Sequence, residues 1–162
     1  MPTDSIRDAA FCDVLNRELV CALGCTEPIA VAYAAALASQ TLGCEPDRMD
    51  VACSGNIIKN VKSVIVPHTG SMHGIAAAAA AGIIAGREDR ELEVLSEVTE
   101  AQIEDMRAYL KEAAFEIRPI DSPFIFDIRF TVCAGDDQAT ARIVGSHTNL
   151  VQLLHGTTRI ID

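Results

Sequence analysis

Two runs of small apolar residues set the terms on which this chain can fold. Residues 29–38 read Ile-Ala-Val-Ala-Tyr-Ala-Ala-Ala-Leu-Ala, and residues 75–85 are built mostly of alanine, with Ile75, Gly82, Ile83 and Ile84. Both read as helices: the first from Thr26 to about Thr41, closed by Gly43, the second behind a Gly-rich loop. Side chains this small let helices approach almost backbone to backbone, yet each buries little area. With 49% hydrophobic but only 4% aromatic residues, the core must come from Ala, Val, Ile and Leu. Such helices need a neighbouring surface to finish their burial, so exposed apolar residues of the 26–38 or 75–85 helices, and self-association, are expected.

The chain has 162 residues, enough for one domain. Its net charge of −10 leaves no basic surface for nucleic acid. The Gly74–Gly86 run is too short for a bilayer, so no membrane partner is expected. Residues 1–10 carry Asp4, Arg7 and Asp8 in place of an export signal. Six cysteines without a Cys-x-x-Cys pair argue against a zinc knuckle and for reduced thiols in a cytoplasm.

Local patterns supply the candidate sites. Residues 4–23 read as an amphipathic helix stopped by Gly24, with Cys12 and Cys21 on or near its apolar face, and Thr26 as the cap of the next. In that two-helix elbow Cys25 is either a small packed residue or a thiolate favoured by the helix dipole. Asp47 to Cys53 reads as a short strand. Ser54 can cap a helix whose apolar stripe is Ile57, Ile58, Val61, Val64 and Ile65, with Asn56 and Asn60 on the opposite side. The loop His68-Thr69-Gly70-Ser71-Met72-His73-Gly74 is a candidate anion cradle, but neither a Walker loop nor a dinucleotide fingerprint. His68 and His73 are structural residues, acid–base groups or ligands.

Beyond Gly86 the chain turns charged, then Thr99–Gln102 reads as a capping box opening a helix to Ala113. Residues 115–120 read as a strand. The alternation of Phe126, Ile128, Phe130 and Val132, the turn Gly135–Asp137 and the run 139–144 read as an antiparallel hairpin. Gly145–Asn149 is again small and polar, and 157–162 reads as a strand or linker. The expected fold is therefore a single α+β unit: an Ala-rich helical layer over 1–86 packed with a small, mainly antiparallel sheet in 87–162.

Four motifs together, Ala22–Ala30, Ser54–Lys62, Val66–Gly70 and Ser146–Asn149, resemble in order and spacing the L-serine dehydratase alpha-chain-like family, in its L-cysteine desulfidase branch. The resemblance runs over essentially all of the chain and implies the N-terminal half of a longer protein. It implies β-elimination on a small L-amino acid, giving pyruvate and ammonia, with a 4Fe–4S cluster in the complete protein. Cys25 matches a cluster ligand. The other two ligands lie in the absent half and Cys133 matches neither, so this chain alone is expected to hold no cluster and to be inactive.

The family's loops then place Thr26, Glu27, Ser54, Asn56, Asn60, Thr69, Gly70 and Asn149 against the substrate. The α-proton acceptor stays open between His68, His147 and a residue of the missing half. The expected partners are the amino acid and the missing C-terminal half or a partner subunit. The alternative function is an amino-acid-binding regulatory module or partner subunit without its own cluster. Serine, cysteine and other β-substituted amino acids stay equally open as substrates.

Overall fold

A computed structural model describes residues 2–19 and 21–161. Val20 and Asp162, inside the first expected helix and the last expected strand, lie outside the described residues. The helices are α1 (Pro2–Glu18), α2 (Thr26–Leu42), α3 (Gly55–Val61), α4 (Gly74–Ala85) and α5 (Glu100–Glu112), with a 3-10 turn at Glu88–Glu93. The strands are β1 (Arg48–Cys53), β2 (Ala114–Pro119), β3 (Asp127–Ala134), β4 (Asp137–Val144), β5 (Leu150–His155) and β6 (Thr158–Ile161). They form one six-stranded sheet in the order β2-β1-β3-β4-β5-β6. Only β1–β2 is parallel. The α+β expectation holds, with a larger sheet than the hairpin foreseen, because β1 joins it and β5 and β6 extend it.

Helices cover one face of the sheet. Strand alternation sends Met49, Val51, Ile128, Phe130, Val132, Ala141 and Ile143, all fully buried, toward that side. Phe130 lies opposite Val51 on one flank and Ala141 on the other, which centres the core on β3. Above it α2 and α4 are in near-backbone contact: a Cβ on Gly82 would lie 2.1 Å from the Ala32 carbonyl oxygen. Alanines 30, 32, 34, 35 and 38 of α2 and 78–81 of α4 are fully buried. The exposed apolar surface expected on these helices is thus not there, because the sheet and the two helices cover one another. It lies instead on α1, where Ile6, Phe11, Val14, Leu15 and Leu19 are exposed, and on Phe124 and Ile125.

Several local boundaries moved. Helix α1 ends at Glu18, and the linker 21–25 replaces the two-helix elbow. Cys12 and Cys21, expected at the core, are exposed. Cys25, not Thr26, occupies the cap position of α2, in extended conformation with no side-chain cap bond. The α3 stripe stops at Val61, and Ile65 is 60% exposed because the chain folds there into a tight hairpin. In that hairpin the Val66 amide donates to Met72, the Gly74 amide to Val64, and Ile65 bridges His73. The Thr99–Gln102 capping box forms, and Gly43 and Gly135 take the left-handed conformations that end α2 and turn the hairpin. Among the described residues no helix is long and apolar enough to cross a membrane.

Candidate functional site

The start of α2 gathers residues from distant parts of the chain. Glu27, in the first turn, carries a negative charge where the exposed amides of a helix start favour one. Its Oε2 accepts the Cys25 thiol at 3.1 Å, and its Oε1 accepts the Asn60 side-chain amide at 3.3 Å. His147, on the loop after β4, sits edge-on to Phe126 with ring centroids 4.6 Å apart, and the Glu27 and His147 charges act on each other. The third motif arrives from below: a Cβ on Gly24 would lie 3.2 Å from the Pro67 ring. Segments of three motifs therefore act on Glu27, and the fourth packs against Gly24.

The charges here follow from these contacts. The Cys25 hydrogen bond, helped by the Glu27 amide and Asn60, holds the Glu27 carboxyl below its usual range, although partial burial pulls the other way. Partial burial and then the bond to Glu27 push the Cys25 thiol up. The thiolate expected from the helix dipole is thus disfavoured: a carboxylate next door already occupies the positive helix end. Burial holds the His147 imidazole below its ordinary value, so it is neutral at pH 7. The cluster thus offers a fixed anion, a neutral proton acceptor and a protonated thiol. Iodoacetamide should therefore label the exposed Cys12, Cys21 and Cys44 ahead of Cys25 at pH 7.5, and Glu27→Gln should speed Cys25 labelling. A Cys25 that leads the wild-type time course would overturn this ordering.

Apart from Thr26, the other expected site residues make contacts elsewhere. Ser54 is buried and its hydroxyl donates to the Ile125 carbonyl at 2.6 Å, while it accepts no helix amide as a cap would. With Asn56 it borders a separate hollow of about 450 Å³ against the 120–125 loop. Thr69 is fully buried, closing the hairpin by donating to the Val66 carbonyl at 2.8 Å. His68, in left-handed conformation, bonds through Nδ1 to the Leu95 carbonyl at 2.8 Å, and Arg107 donates to the Gly70 carbonyl. Asn149 closes the 145–149 loop by donating to the Val144 carbonyl. Thr26 is half-buried beside Glu27. A hollow of about 770 Å³ between α5 and the C-terminal ends of α2 and α4 is lined by none of these residues.

An iron–sulfur cluster does not fit the donors present. Among the described residues no group of three or more His, Cys, Asp or Glu side chains is arranged to hold a metal ion. The Cys25 sulfur is hydrogen-bonded to a carboxylate, Cys53 and Cys133 are buried, and the remaining thiols stand singly on the surface. The iron–sulfur expectation is therefore corrected.

Sequence reasoning also missed a buried ion pair. Asp127 is fully buried at the start of β3, where Arg142 of β4 donates to both carboxylate oxygens at 3.0 and 2.7 Å and Ser122 donates at 2.6 Å. The hairpin register, which sets Arg129 opposite Arg142 one step from Asp127, was the available signal.

No family model matches the chain, and no solved structure matches it. Similar proteins are nevertheless well defined. The chain is 48% identical over 143 residues to a UPF0597 protein of Desulfitobacterium hafniense, covering 88% of this chain and 33% of that one. It is 43% identical over 153 residues to one of Treponema denticola (94% and 36%) and 41% identical over 141 residues to one of Fusobacterium nucleatum (87% and 33%). The chain is thus homologous to UPF0597 proteins and spans about a third of their length.

Proposed function

We propose that the cluster at the start of α2 grips a small L-amino acid, as this chain's share of a β-elimination completed by the rest of a longer protein. What carries the reading is the meeting of residues from three separate segments, Cys25, Asn60 and His147, at one ionised carboxylate, Glu27. A carboxylate kept ionised at a helix start, with a neutral imidazole near it, suits an α-amino acid. Glu27 takes the ammonium as a charge-assisted hydrogen bond. His147, neutral because it is partly buried, would accept the α-proton. Withdrawal of that proton and departure of the β-substituent would leave an enamine that hydrolyses to a keto acid and ammonia.

Titration of the chain with L-serine and L-cysteine, followed by NMR with D-serine as control, tests the grip. Saturable shifts at Glu27, Asn60 and His147 should be larger for the L-enantiomer. Glu27→Gln should weaken binding about tenfold, the usual cost of losing a hydrogen bond to a charged group. Equal response to both enantiomers, or an unchanged affinity in Glu27→Gln, would sink the proposal. Affinity should also stay flat from pH 8 to 6.5, the ordinary value for histidine, because the folded imidazole titrates lower still. A midpoint at or above that value would contradict the placement of His147.

A further inference from the structure

The helices cover one face of the sheet; the other is open and carries an unusual set of side chains. We infer that this open face is a second binding site, for a small oxyanion bearing a carboxylate or phosphate group, centred on Arg129. It does not rest on the Glu27 cluster.

The face encloses a hollow of about 570 Å³ lined in part by Arg48, Asp50, Arg118, Arg129, Thr131 and Thr140. In a chain of net charge −10, three arginines meet only two carboxylates there, Asp50 and Glu116. Those charges are unevenly matched. Arg118 donates its Nε to both oxygens of Asp50, at 3.0 and 3.2 Å. Arg48 donates to the Cys133 sulfur at 3.2 Å, a weak acceptor. Asp127, two residues along the same face, gives its oxygens to Arg142 and Ser122.

Arg129 feels the Asp127 charge but is left without a hydrogen-bond partner among the described residues. Its Nε is shielded from water and meets no hydrogen-bond acceptor among the described residues. A buried donor on a charged group costs stability unless something accepts from it. The strand register explains the gap: Arg129 faces Ala52 on one side and Arg142 on the other, so neither neighbour supplies an acceptor. Beside it, Thr131 and Thr140 share one 2.9 Å hydrogen bond, which uses one of their two hydroxyl protons and leaves the second to donate. A guanidinium with no hydrogen-bond partner among the described residues and an adjacent hydroxyl donor, both lining the same hollow, match two oxygens of one carboxylate or phosphate.

The test is NMR titration of the 15N-labelled chain with sodium phosphate and, separately, sodium succinate, at ionic strength held constant with sodium chloride. Saturable shifts should appear at the Arg129 Nε–H and at the Thr131 and Thr140 amides. The tighter of the two anions identifies the group recognised. Arg129→Gln should weaken binding at least about tenfold, and Arg129→Lys, which keeps the charge but loses the fork, should fall between. Thr140→Val, which keeps shape and removes one hydroxyl, should weaken it about threefold and stands in should the arginine variants not fold. Shifts that chloride alone reproduces would overturn the proposal. So would an affinity unchanged in Arg129→Gln and Thr140→Val, or shifts that follow protein concentration, which would make the face a contact between copies.

Discussion

Gly82→Ala is expected to destabilise the chain by about 3 kcal/mol or more, although glycine to alanine inside a helix ordinarily stabilises by about 1 kcal/mol. The reversal of sign comes from the α2–α4 contact. The new methyl would lie 2.1 Å from the Ala32 carbonyl oxygen and 2.8 Å from the Ala35 Cβ. Neither neighbour is a flexible side-chain tip, so the helices themselves must separate. Separation would open the seam of fully buried alanines on both. Gly86→Ala should act in the same direction, since its methyl would meet the Gly82 carbonyl oxygen at 2.3 Å. Gly55→Ala is the control, because nothing lies within 4 Å of that position. Urea unfolding reads the effect, and a loss of this size lowers the melting temperature by roughly 10 °C. A Gly82→Ala protein as stable as its parent would mean that the two helices do not sit this close.

That seam was the most legible part of the chain. Alanine runs announce helices in close approach, and the alternation of Phe126 to Val132 ending at Gly135 announces the β3–β4 hairpin. What pattern alone missed depends on the third dimension. Val64 and Ile65 continue a helical stripe on paper, yet the hairpin hydrogen bonds from Val66 and Gly74 take that backbone out of α3. Strand β1 reads as an isolated strand until β2 and β3 flank it. At the site, Glu27 was legible as a polar residue in a helix's first turn, Asn60 as one on the polar side of another helix, and His147 as a loop histidine. Pattern alone did not give their convergence, which only the resemblance implied, because it depends on where the β4–β5 loop lands. The dipole argument for Cys25 failed for local reasons: partial burial, and then a carboxylate two residues away, hold its thiol proton.

Asp127→Asn should cost about 3 kcal/mol, the range for breaking a buried ion pair by removing one partner's charge. The asparagine keeps the shape, so the loss reports charge and hydrogen bonding alone. Arg142, with 26% of its side chain exposed, is left facing a neutral amide, and Ser122 loses an ionised acceptor. Adding Arg142→Met should return part of the loss, since no uncompensated guanidinium then remains. The pH dependence has a definite sign. Burial alone would raise the Asp127 carboxyl, but the hydrogen bonds from Arg142 and Ser122 and the charges of Arg142 and Arg129 outweigh it and hold the group low. Its folded value therefore lies below its unfolded one, so its stabilisation is complete above the ordinary carboxylate range and is lost as pH falls through the folded value. Urea unfolding at pH 7 and in steps down to pH 3 should show the wild-type and Asp127→Asn curves converging in acid. A gap that stays constant across that range would mean that the Asp127 proton equilibrium does not differ between the folded and unfolded chain, and that the pair does not hold the β3–β4 edge as its geometry requires.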